Sequence, residues 1–415
     1  ATAGRLWDSI TDPIIASLSD RCNSKWGRRR PFLAAGTLPA CLSCALLFFP
    51  IVGSESLWNV LWVGVFQCLF YLFFTVYCTP YFTLVAEMGH NSKERLRLST
   101  WCSITFALGT VLASGAQPIG NVSWKGDPLT NYQVGVCIIC VIAALAMFVP
   151  VVTINESRYC ISKPADISVY QALRRCVLNP HFRRYVVSDF GFFFGSTIIT
   201  TGMPYYLTVL CKEDESLLIA VAATVVVVSF VSYVPVMLLA SRYGKKKVVL
   251  IAFAWLTWIF PALFFLGDGL QPIPPKTQIF VLAALASVPI AALGFLPGAI
   301  LSDIAVHDSC RSGVSQEGMY FATRTLISKF GVTLGVLVFA SLLSFGKDVG
   351  DDLGIRLSGL AGLVLFSLSF VVFAYYREEI VLNETEGASA NAVVKATIET
   401  SSQDFSSATP EMASP

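Results

Sequence analysis

The chain has 415 residues, of which 55% are hydrophobic and only 13% are charged. Soluble domains carry about 25% charged residues, so this composition excludes an ordinary soluble protein and indicates one that lies in a membrane. The formal net charge is only +2, so the overall charge points to no nucleic-acid partner.

The first predicted element is a helix that carries two acids. Asp8 and Asp12 lie four residues apart, so a helix places both carboxylates on one face. An acid inside a membrane helix costs about 2.5–3.5 kcal/mol, so the pair requires an explanation. One interpretation is a cation held in a transport pathway. The other is an acid pair neutralised by a buried Arg or Lys, with no transport role.

Apolar runs of about 20 residues predict about eleven membrane-spanning helices, and hence an all-α membrane protein. From about residue 382 the sequence is rich in Ser, Thr, Ala and Glu, which predicts a disordered tail. The apolar runs lie near residues 3–20, 32–52, 57–86, 99–119, 133–153, 184–209, 217–240, 248–266, 279–304, 318–345 and 356–376.

Positive charge alternates between successive connections. One set is dense in Lys and Arg, and the other holds only scattered single residues. By the positive-inside rule the dense set is cytoplasmic, which places residue 1 outside and the tail inside. The dense set comprises Arg21, Lys25, Arg28, Arg29, Arg30, Lys93, Arg95, Arg97, Arg158, Lys163, Arg174, Arg175, Arg183, Arg184, Arg242, Lys245, Lys246 and Lys247.

An odd number of helices beginning outside leads us to expect one further helix before residue 1, the first of twelve. Six plus six helices in two bundles is the plan of the major facilitator superfamily. The predicted domains are a truncated amino-terminal bundle over 1–153, a cytoplasmic connecting loop over 154–183, a carboxy-terminal bundle over 184–381 and the disordered cytoplasmic tail over 382–415.

Seven motifs, spread over nearly all the predicted helices, carry a resemblance. They are WDSITDP (Trp7–Pro13), the following SDRCNSKWGRRRP, Thr75–Tyr81, KERLR (Lys93–Arg97), IITTGMPYY (Ile198–Tyr206), LSDIAVHDSCRSGVSQEG (Leu301–Gly318) and ISKFG (Ile327–Gly331). Together they resemble the glycoside–pentoside–hexuronide:cation symporters, the melibiose-permease branch of the major facilitator superfamily. The lysophosphatidylcholine symporters of animals share the same arrangement of motifs.

The resemblance implies that Asp8 and Asp12 bind the coupling cation together with Thr75. Thr11 stands where melibiose permeases have Asn, and its hydroxyl can still coordinate Na⁺. Carboxylates and hydroxyls suit a hard cation, whereas two close carboxylates raise one another's pKa and suit a proton. The expected coupling ion is therefore Na⁺ or H⁺, with no other metal and no cofactor.

Two cationic residues follow in one later helix. Lys329 matches the buried lysine that lies close to both the cation and the substrate sites in the family; the alternative is a mere counter-ion to Asp8 or Asp12. Arg324 stands where the family more often has a neutral polar residue. It either lines the cavity or extends toward the cytoplasmic side.

The sequence departs from the sugar carriers at the substrate site. Cys78 stands where they have Asp, and Ser103 where they have Arg, which argues against melibiose-like recognition. The predicted substrate contacts are Cys78 and the aromatic residues Tyr77, Tyr81 and Tyr205. An aromatic stripe in a Phe-rich helix is also typical of packing or lipid contact, so both sugar and lysolipid stay open.

A basic block at the cytoplasmic side suggests a gate. Arg28, Arg29 and Arg30, together with Asp303, are predicted to pair across neighbouring helix ends and close the inner mouth. The alternative is that such residues only enforce topology and contact anionic lipid headgroups.

These interpretations predict a cation-coupled secondary symporter that moves a sugar-like or lysophospholipid-like solute by alternating access. The alternative is an uncoupled membrane protein of the same fold, a receptor or a lipid scramblase. We recognise no nucleophile–base set, metal cluster or cofactor motif in the sequence, which indicates that the protein is not an enzyme. The expected partners are the solute and membrane lipids, for a monomer in the plasma membrane or an endomembrane of a eukaryote.

Overall fold

The structure, a computed structural model, describes residues 2–52, 56–124, 126–156, 168–267 and 272–385, with side chains from residue 11 onward. Within these residues the chain is almost wholly helical, and its only β-type pairing is an isolated bridge between Asp348 and Asp351. Nine helices of this described part are long and apolar enough to cross a membrane. The prediction of an all-α membrane protein is confirmed.

The helices follow one another with short connections. A π-turn over Tyr206–Leu210 and 3-10 turns over Phe260–Phe265 and Leu343–Phe345 each continue the helix that precedes them. In chain order the helices are α1 (Thr2–Arg21), α2 (Arg30–Leu46), α3 (Leu57–Met88), α4 (Ser92–Ser114), α5 (Ala116–Ser123), α6 (Pro128–Thr153), α7 (Val169–Leu178), α8 (Pro180–Tyr205), α9 (Leu217–Tyr243), α10 (Lys245–Ile259), α11 (Pro275–Ser312), α12 (Glu317–Leu342) and α13 (Leu353–Ala374).

Each predicted apolar segment coincides with helix, including α1 and the 17-residue α2, which are not among the nine longest apolar helices. The segment predicted at 99–119 is divided at Gly115 into α4 and α5. The bounds differ most where helices continue beyond the apolar run. The 38 residues of α11 span about 57 Å, nearly twice the thickness of a hydrocarbon core. Polar helix ends carry no hydropathy signal, which is why the sequence underestimates their length.

The connection predicted as a loop over 154–183 contains helix at its carboxyl end. The Ser168 hydroxyl caps α7, and the Asn179 side chain caps α8 by accepting hydrogen bonds from the amides of His181 and Phe182. Ser and Asn are both common N-cap residues, so the starts of these two helices could have been predicted from the sequence. Residues 157–167 lie outside the described residues.

The tail predicted as disordered from residue 382 begins within ordered helix. Residues 378–385 are helical, and Val381 is fully buried. Residues 386–415 lie outside the described residues. The apolar run Ile380–Leu382 is only three residues long and gives little hydropathy signal, so the sequence did not indicate this packing.

Following the predicted domains, we call α1–α6 the amino-terminal bundle and α8–α13 the carboxy-terminal bundle. In the first, α2 packs against α3 and α6. In the second, α8 packs against α12 and α13, while α11 packs against α9 and α10. The bundles meet where α1 contacts α12 and where α4 contacts α9 and α11. Any group that links α1 to α12 or α4 to α11 therefore controls how the bundles sit relative to each other.

Two glycines allow α5 and α6 to pack unusually closely. A methyl group at Gly135 would lie 1.8 Å from the carbonyl oxygen of Ala116, and one at Gly120 would lie 1.7 Å from that of Asn131. Both distances are far below van der Waals contact. Only glycine fits either position, as in other close helix pairs of membrane proteins.

We expect Gly135→Ala to push α6 away from α5 and to destabilise the protein by about 1–3 kcal/mol, the usual cost of overpacking. Gly109→Ala in α4 is the matched control, because nothing lies within 4 Å of the added methyl group. Thermal unfolding of both purified variants in detergent measures the effect. Equal melting temperatures would contradict the close packing.

Candidate functional site

A buried carboxylate joins three helices. Asp12 lies nine residues, or about 13 Å, from the carboxyl end of α1. Its Oδ2 accepts a hydrogen bond from Lys329 Nζ at 2.6 Å, and its Oδ1 accepts one from the Thr75 hydroxyl at 3.2 Å. Helices α1, α3 and α12 thus meet at one side chain, and the Lys329 contact crosses the interface between the bundles.

The two charges of this pair differ in exposure. The side chain of Asp12 is 4% exposed and that of Lys329 is 24% exposed. A buried carboxylate without a counter-charge is strongly unfavourable, so the Lys329 ammonium neutralises the cluster in this state. A cation that took the place of the ammonium would find a carboxylate and a hydroxyl as ligands.

The structure describes the side chains of three of the four residues that are predicted to bind the cation. The structure brings Asp12 and Thr75 together, and Thr11 is buried directly beside Asp12 in the chain. The side chain of Asp8 lies outside the described residues. Among the described residues, no three His, Cys, Asp or Glu side chains gather as a metal cluster. Hydroxyl and carboxylate oxygens are the groups available here.

Arg324 pairs with an acid that the sequence analysis did not single out. Asp189 of α8 accepts hydrogen bonds from Nε and Nη2 of Arg324, at 2.8 and 3.0 Å, and from the Ser328 hydroxyl at 3.2 Å. This pair lies wholly within the carboxy-terminal bundle. Arg324 is thus an anchored guanidinium beside α8.

The predicted aromatic substrate contacts take part mainly in packing. The Tyr77 hydroxyl donates to the Met147 carbonyl at 3.0 Å, which directs it toward α6. Tyr81 stacks on Tyr77, and its hydroxyl lies 3.9 Å from Cys102 Sγ. These contacts lie within the amino-terminal bundle and do not connect the tyrosines to the Asp12–Lys329 pair.

The other two predicted contacts are half-buried. Cys78 packs at the edge of a small apolar cluster around Leu33 and Tyr77. Tyr205 stacks on Phe339, with ring centroids 5.6 Å apart, near the carboxyl end of α12. Phe339 is ten residues, or about 15 Å, beyond Lys329 along the helix. A solute role for Cys78 and Tyr205 stays a prediction.

Two arginines of the basic block lie in a buried charge cluster. Arg29 is fully buried, and its Nη2 contacts Asp20 at 2.5 Å and Glu87 at 2.6 Å. Arg28 contacts Glu87 at 2.7 Å and Glu317, across the bundle interface, at 3.8 Å. Burial opposes the charge of Arg29, but the carboxylates of Glu87 and Asp20 outweigh it and raise the pKa of Arg29 above its usual range.

A single glutamate fixes the backbone of the same block. The two carboxylate oxygens of Glu156 accept hydrogen bonds from the amides of Arg28, Arg29 and Arg30, at 2.5, 2.9 and 2.6 Å respectively. An anion is favourable at a helix amino terminus, because the first amides have no partner within the helix. The Arg30 side chain contacts the Val151 carbonyl at 2.9 Å and stays within the amino-terminal bundle.

Asp303 is the centre of a second charge cluster. It accepts from Arg95 Nε at 2.6 Å and from Lys245 Nζ at 2.5 Å, and all three side chains are buried. Arg95 belongs to α4, whereas Asp303 and Lys245 belong to α11 and α10. The cluster therefore joins the two bundles on the side that the positive-inside rule predicts to be cytoplasmic. Asp20 adds a second link there by accepting from the amide of Met319 at 3.2 Å.

Four charged partners were missed or undervalued by the sequence analysis. Asp189 is an acid inside an apolar segment, and that signal alone could have marked it. Lys245 was assigned only to the set of topology-determining charges. Glu87 and Glu156 follow directly after apolar runs, where nothing in the sequence indicates a buried partner.

The whole architecture matches a known family. The sequence profile of the family described as MFS/sugar transport protein matches residues 1–388. The putative glycoside/cation symporter YagG of Escherichia coli is 24% identical over 344 residues, covering 82% of this chain and 73% of the relative. Sodium-dependent lysophosphatidylcholine symporter 1 of Mus musculus is 24% identical over 425 residues, covering 90% and 77%.

Solved structures share the fold at low sequence identity. The Escherichia coli fucose:proton symporter superimposes with a TM-score of 0.66 at 13% identity, covering 91% of this chain and 90% of that one. The human organic anion transporter MFSD10 superimposes with a TM-score of 0.63 at 13% identity, covering 89% and 82%. The profile match, the two bundles and the apolar helices agree, and the chain belongs to the MFS/sugar transport protein family as a multi-pass integral membrane protein.

Proposed function

We propose that the protein is a cation-coupled symporter that moves a small organic solute with Na⁺ or H⁺ by alternating access. The observation that carries this proposal is the Asp12 carboxylate, shared by Lys329 and Thr75 across the bundle interface. The relatives named as a glycoside/cation symporter and as sodium-dependent lysophosphatidylcholine symporters support it.

The coupling step is an exchange of cations at Asp12. An entering Na⁺ takes oxygen ligands from Asp12 and Thr75, with Asp8 and Thr11 as the further ligands that the family resemblance implies. Because two cations repel each other in a low-dielectric site, Lys329 leaves the carboxylate as the ion binds. A proton delivered to Asp12 releases Lys329 in the same way.

The released ammonium is what links the ion to the solute. Lys329 is the more exposed member of the pair, so in this proposal its ammonium turns toward the solute once a cation occupies Asp12. Solute binding is then favourable only after the cation has bound. Symport requires this coupling: binding of either ligand raises the affinity of the protein for the other.

The cytoplasmic clusters serve as the gate in this proposal. Arg95–Asp303 and Arg28–Glu317 link the bundles on the inner side, so this conformation is closed toward the cytoplasm. Opening requires those contacts to separate while the contacts within each bundle persist. The solute is glycoside-like or lysophospholipid-like, in line with the two groups of named relatives.

An uncoupled role, as a receptor or lipid scramblase, is the second candidate. It is favoured by one observation: Lys329 already satisfies Asp12 without any cation. In that case the pair only holds the two bundles together. The variants below separate the two candidates.

In the cell, we infer a monomer surrounded by membrane lipids, with transport and not catalysis as its activity. The exposed Asn121, in an Asn-Val-Ser sequence on the side expected to be external, and the Ser/Thr-rich tail favour a eukaryotic plasma membrane or endomembrane. The named relatives come from bacteria and vertebrates alike, so this location depends on those two sequence features alone.

We expect Asp12→Asn to lower the apparent cation affinity of uptake about ten- to a hundredfold, because a charge-assisted contact contributes about 1.5–3 kcal/mol. Thr75→Val removes a neutral ligand and should have a smaller effect. The controls are Asp214→Asn and Thr105→Val, which alter exposed residues. The measurement is uptake by the full-length form of each of the four variants, driven by a Na⁺ or an H⁺ gradient. Unchanged coupling in Asp12→Asn, at normal surface expression, would contradict the proposal.

A double variant separates a cation ligand from a simple ion pair. Asp12→Asn removes the carboxylate that Lys329 contacts at 2.6 Å, and removing one member of such a pair is typically more destabilising than removing both charges. If the pair is only structural, Asp12→Asn with Lys329→Gln should recover surface expression and whatever uptake the wild type has. If Asp12 binds the cation, expression recovers but gradient-driven uptake does not. Surface labelling together with uptake distinguishes the two results.

Arg95→Gln should weaken the inner gate without leaving a buried charge unpaired, because Asp303 keeps Lys245. Losing this contact, worth about 1.5–3 kcal/mol, should shift the population toward the inward-open state about tenfold or more. A cysteine introduced at the buried Ser99, in a background without other reactive cysteines, reports opening through its labelling rate by a cytoplasmic thiol reagent. Arg97→Gln, at an exposed position two residues on, is the control. Equal labelling rates in the two variants would exclude a gating role for Arg95.

A further inference from the structure

The ion pair of the carboxy-terminal bundle leaves part of a guanidinium accessible. Asp189 accepts from Arg324 Nε at 2.8 Å and from Nη2 at 3.0 Å, and Ser328 donates to the same carboxylate. The side chain of Asp189 is 2% exposed, whereas that of Arg324 is 21% exposed. The acid is therefore enclosed, and its partner is not.

The geometry of this pair leaves one edge of the guanidinium available. A guanidinium has two edges that each bind an anion through two parallel donors. Asp189 occupies the edge formed by Nε and Nη2. Within the described part of the chain, Nη1 on the other edge has no hydrogen-bond acceptor. The Phe193 ring lies 5.5 Å from the guanidinium carbon and helps to fix the plane.

Arg356 of α13 provides a contrast within the same protein. Asp352 binds its Nε and Nη2 at 2.9 Å each, and its side chain is also 21% exposed. Its Nη1, however, donates to the carbonyls of Phe264 and Leu266 at 2.6 and 3.2 Å. Both edges of Arg356 are used, so this residue joins backbone segments, whereas Arg324 keeps a second edge open.

Arg324 is on the same helix as Lys329, five residues or about 7.5 Å closer to the end at Glu317. Charged side chains at membrane depth face a bundle interior or a water-filled cavity, not lipid. We therefore expect the exposed edge of Arg324 to face the interior, where a solute has access to it.

The open edge of Arg324 fits an anionic group on the solute. Its two parallel N–H donors match two oxygens of a carboxylate or phosphate, and such charge-assisted contacts are roughly twice as strong as neutral ones. A sugar hydroxyl offers only a single neutral acceptor.

We propose that Arg324 determines specificity by binding a phosphate or carboxylate group of the solute, with Asp189 as the positioning residue that holds the guanidinium. This inference rests on the proposed coupled transport and narrows the solute class from neutral glycosides to molecules with an anionic group. A sugar acid and a lysophospholipid both have that chemistry.

Binding of matched probes to the full-length purified protein tests the proposal. One pair is an alkyl glucoside and the corresponding glucuronide; the other is a monoacylglycerol and a lysophosphatidylcholine. In each pair only the second molecule has an anionic group. We expect at least one charged member to stabilise the protein against heat at a concentration at least ten times lower than its neutral counterpart. Which pair shows the preference identifies the source of the anion.

Arg324→Lys keeps the charge but removes the bidentate edge, and should abolish this preference without weakening binding of the neutral probe. Arg356→Lys, with the same acid contact but no open edge, should leave the preference intact. Ser328→Ala is a milder change that loosens Asp189, and it should reduce the preference a fewfold even if Arg324→Lys does not fold.

Two results would overturn the proposal. One is no preference for either charged probe in the wild type, and the other is an equal loss of charged and neutral binding in Arg324→Lys or Ser328→Ala, as for a purely structural ion pair. The binding measurement uses no ion gradient, so its failure is distinct from failure of coupled transport. Gradient-driven uptake without a preference for anionic solutes would contradict anion binding by Arg324, whereas the proposed symport would still hold.

Discussion

The cost of an unpaired charge in a low-dielectric interior is the constraint on which this structure depends. Asp12 lies among apolar helices and has to be neutralised in every state that the protein adopts. Lys329 does so in the conformation described here, and it does so from the opposite bundle. The requirement for neutrality thereby becomes a mechanical link between bundles, and any ion that satisfies Asp12 in place of Lys329 also loosens that link.

The same constraint explains how the cytoplasmic clusters are arranged. Each contains contacts within one bundle and contacts across the interface. If the bundles separate, Asp303 keeps Lys245, and Arg95 keeps the Gly89 carbonyl that its Nη1 contacts at 2.7 Å. Arg29 likewise keeps Glu87 within the amino-terminal bundle. None of these three described charges loses every partner on opening, so the gate can be strong without making the open state prohibitively unstable.

Much of the fold was predictable, because a helix that crosses a membrane needs a long apolar run and because Lys and Arg concentrate in the loops on one side. The convergence of Asp12, Thr75 and Lys329 also followed, through motifs shared with a family. Pairings over long sequence separations did not follow. Asp189 and Arg324 are 135 residues apart, and nothing local specifies that they meet. The hydrogen bond from the Tyr77 hydroxyl to the Met147 carbonyl is likewise a pairing over a long sequence separation, and the solute role of Tyr77 stays a prediction.

The gate also extends beyond the membrane helices, into the helical residues 378–385, of which the last four belong to the predicted tail. Glu378 accepts hydrogen bonds from the amides of Lys245 and Lys246 at 3.0 Å each, and so caps α10 at the residue whose ammonium binds Asp303. Glu384 binds His307 Nε2 at 2.8 Å, one helical turn beyond Asp303 on α11. Because the lysine of the inner gate is held through both its backbone and its side chain, a displacement of residues 378–385 changes the position of α10 and, through Asp303, the contact that keeps the bundles closed.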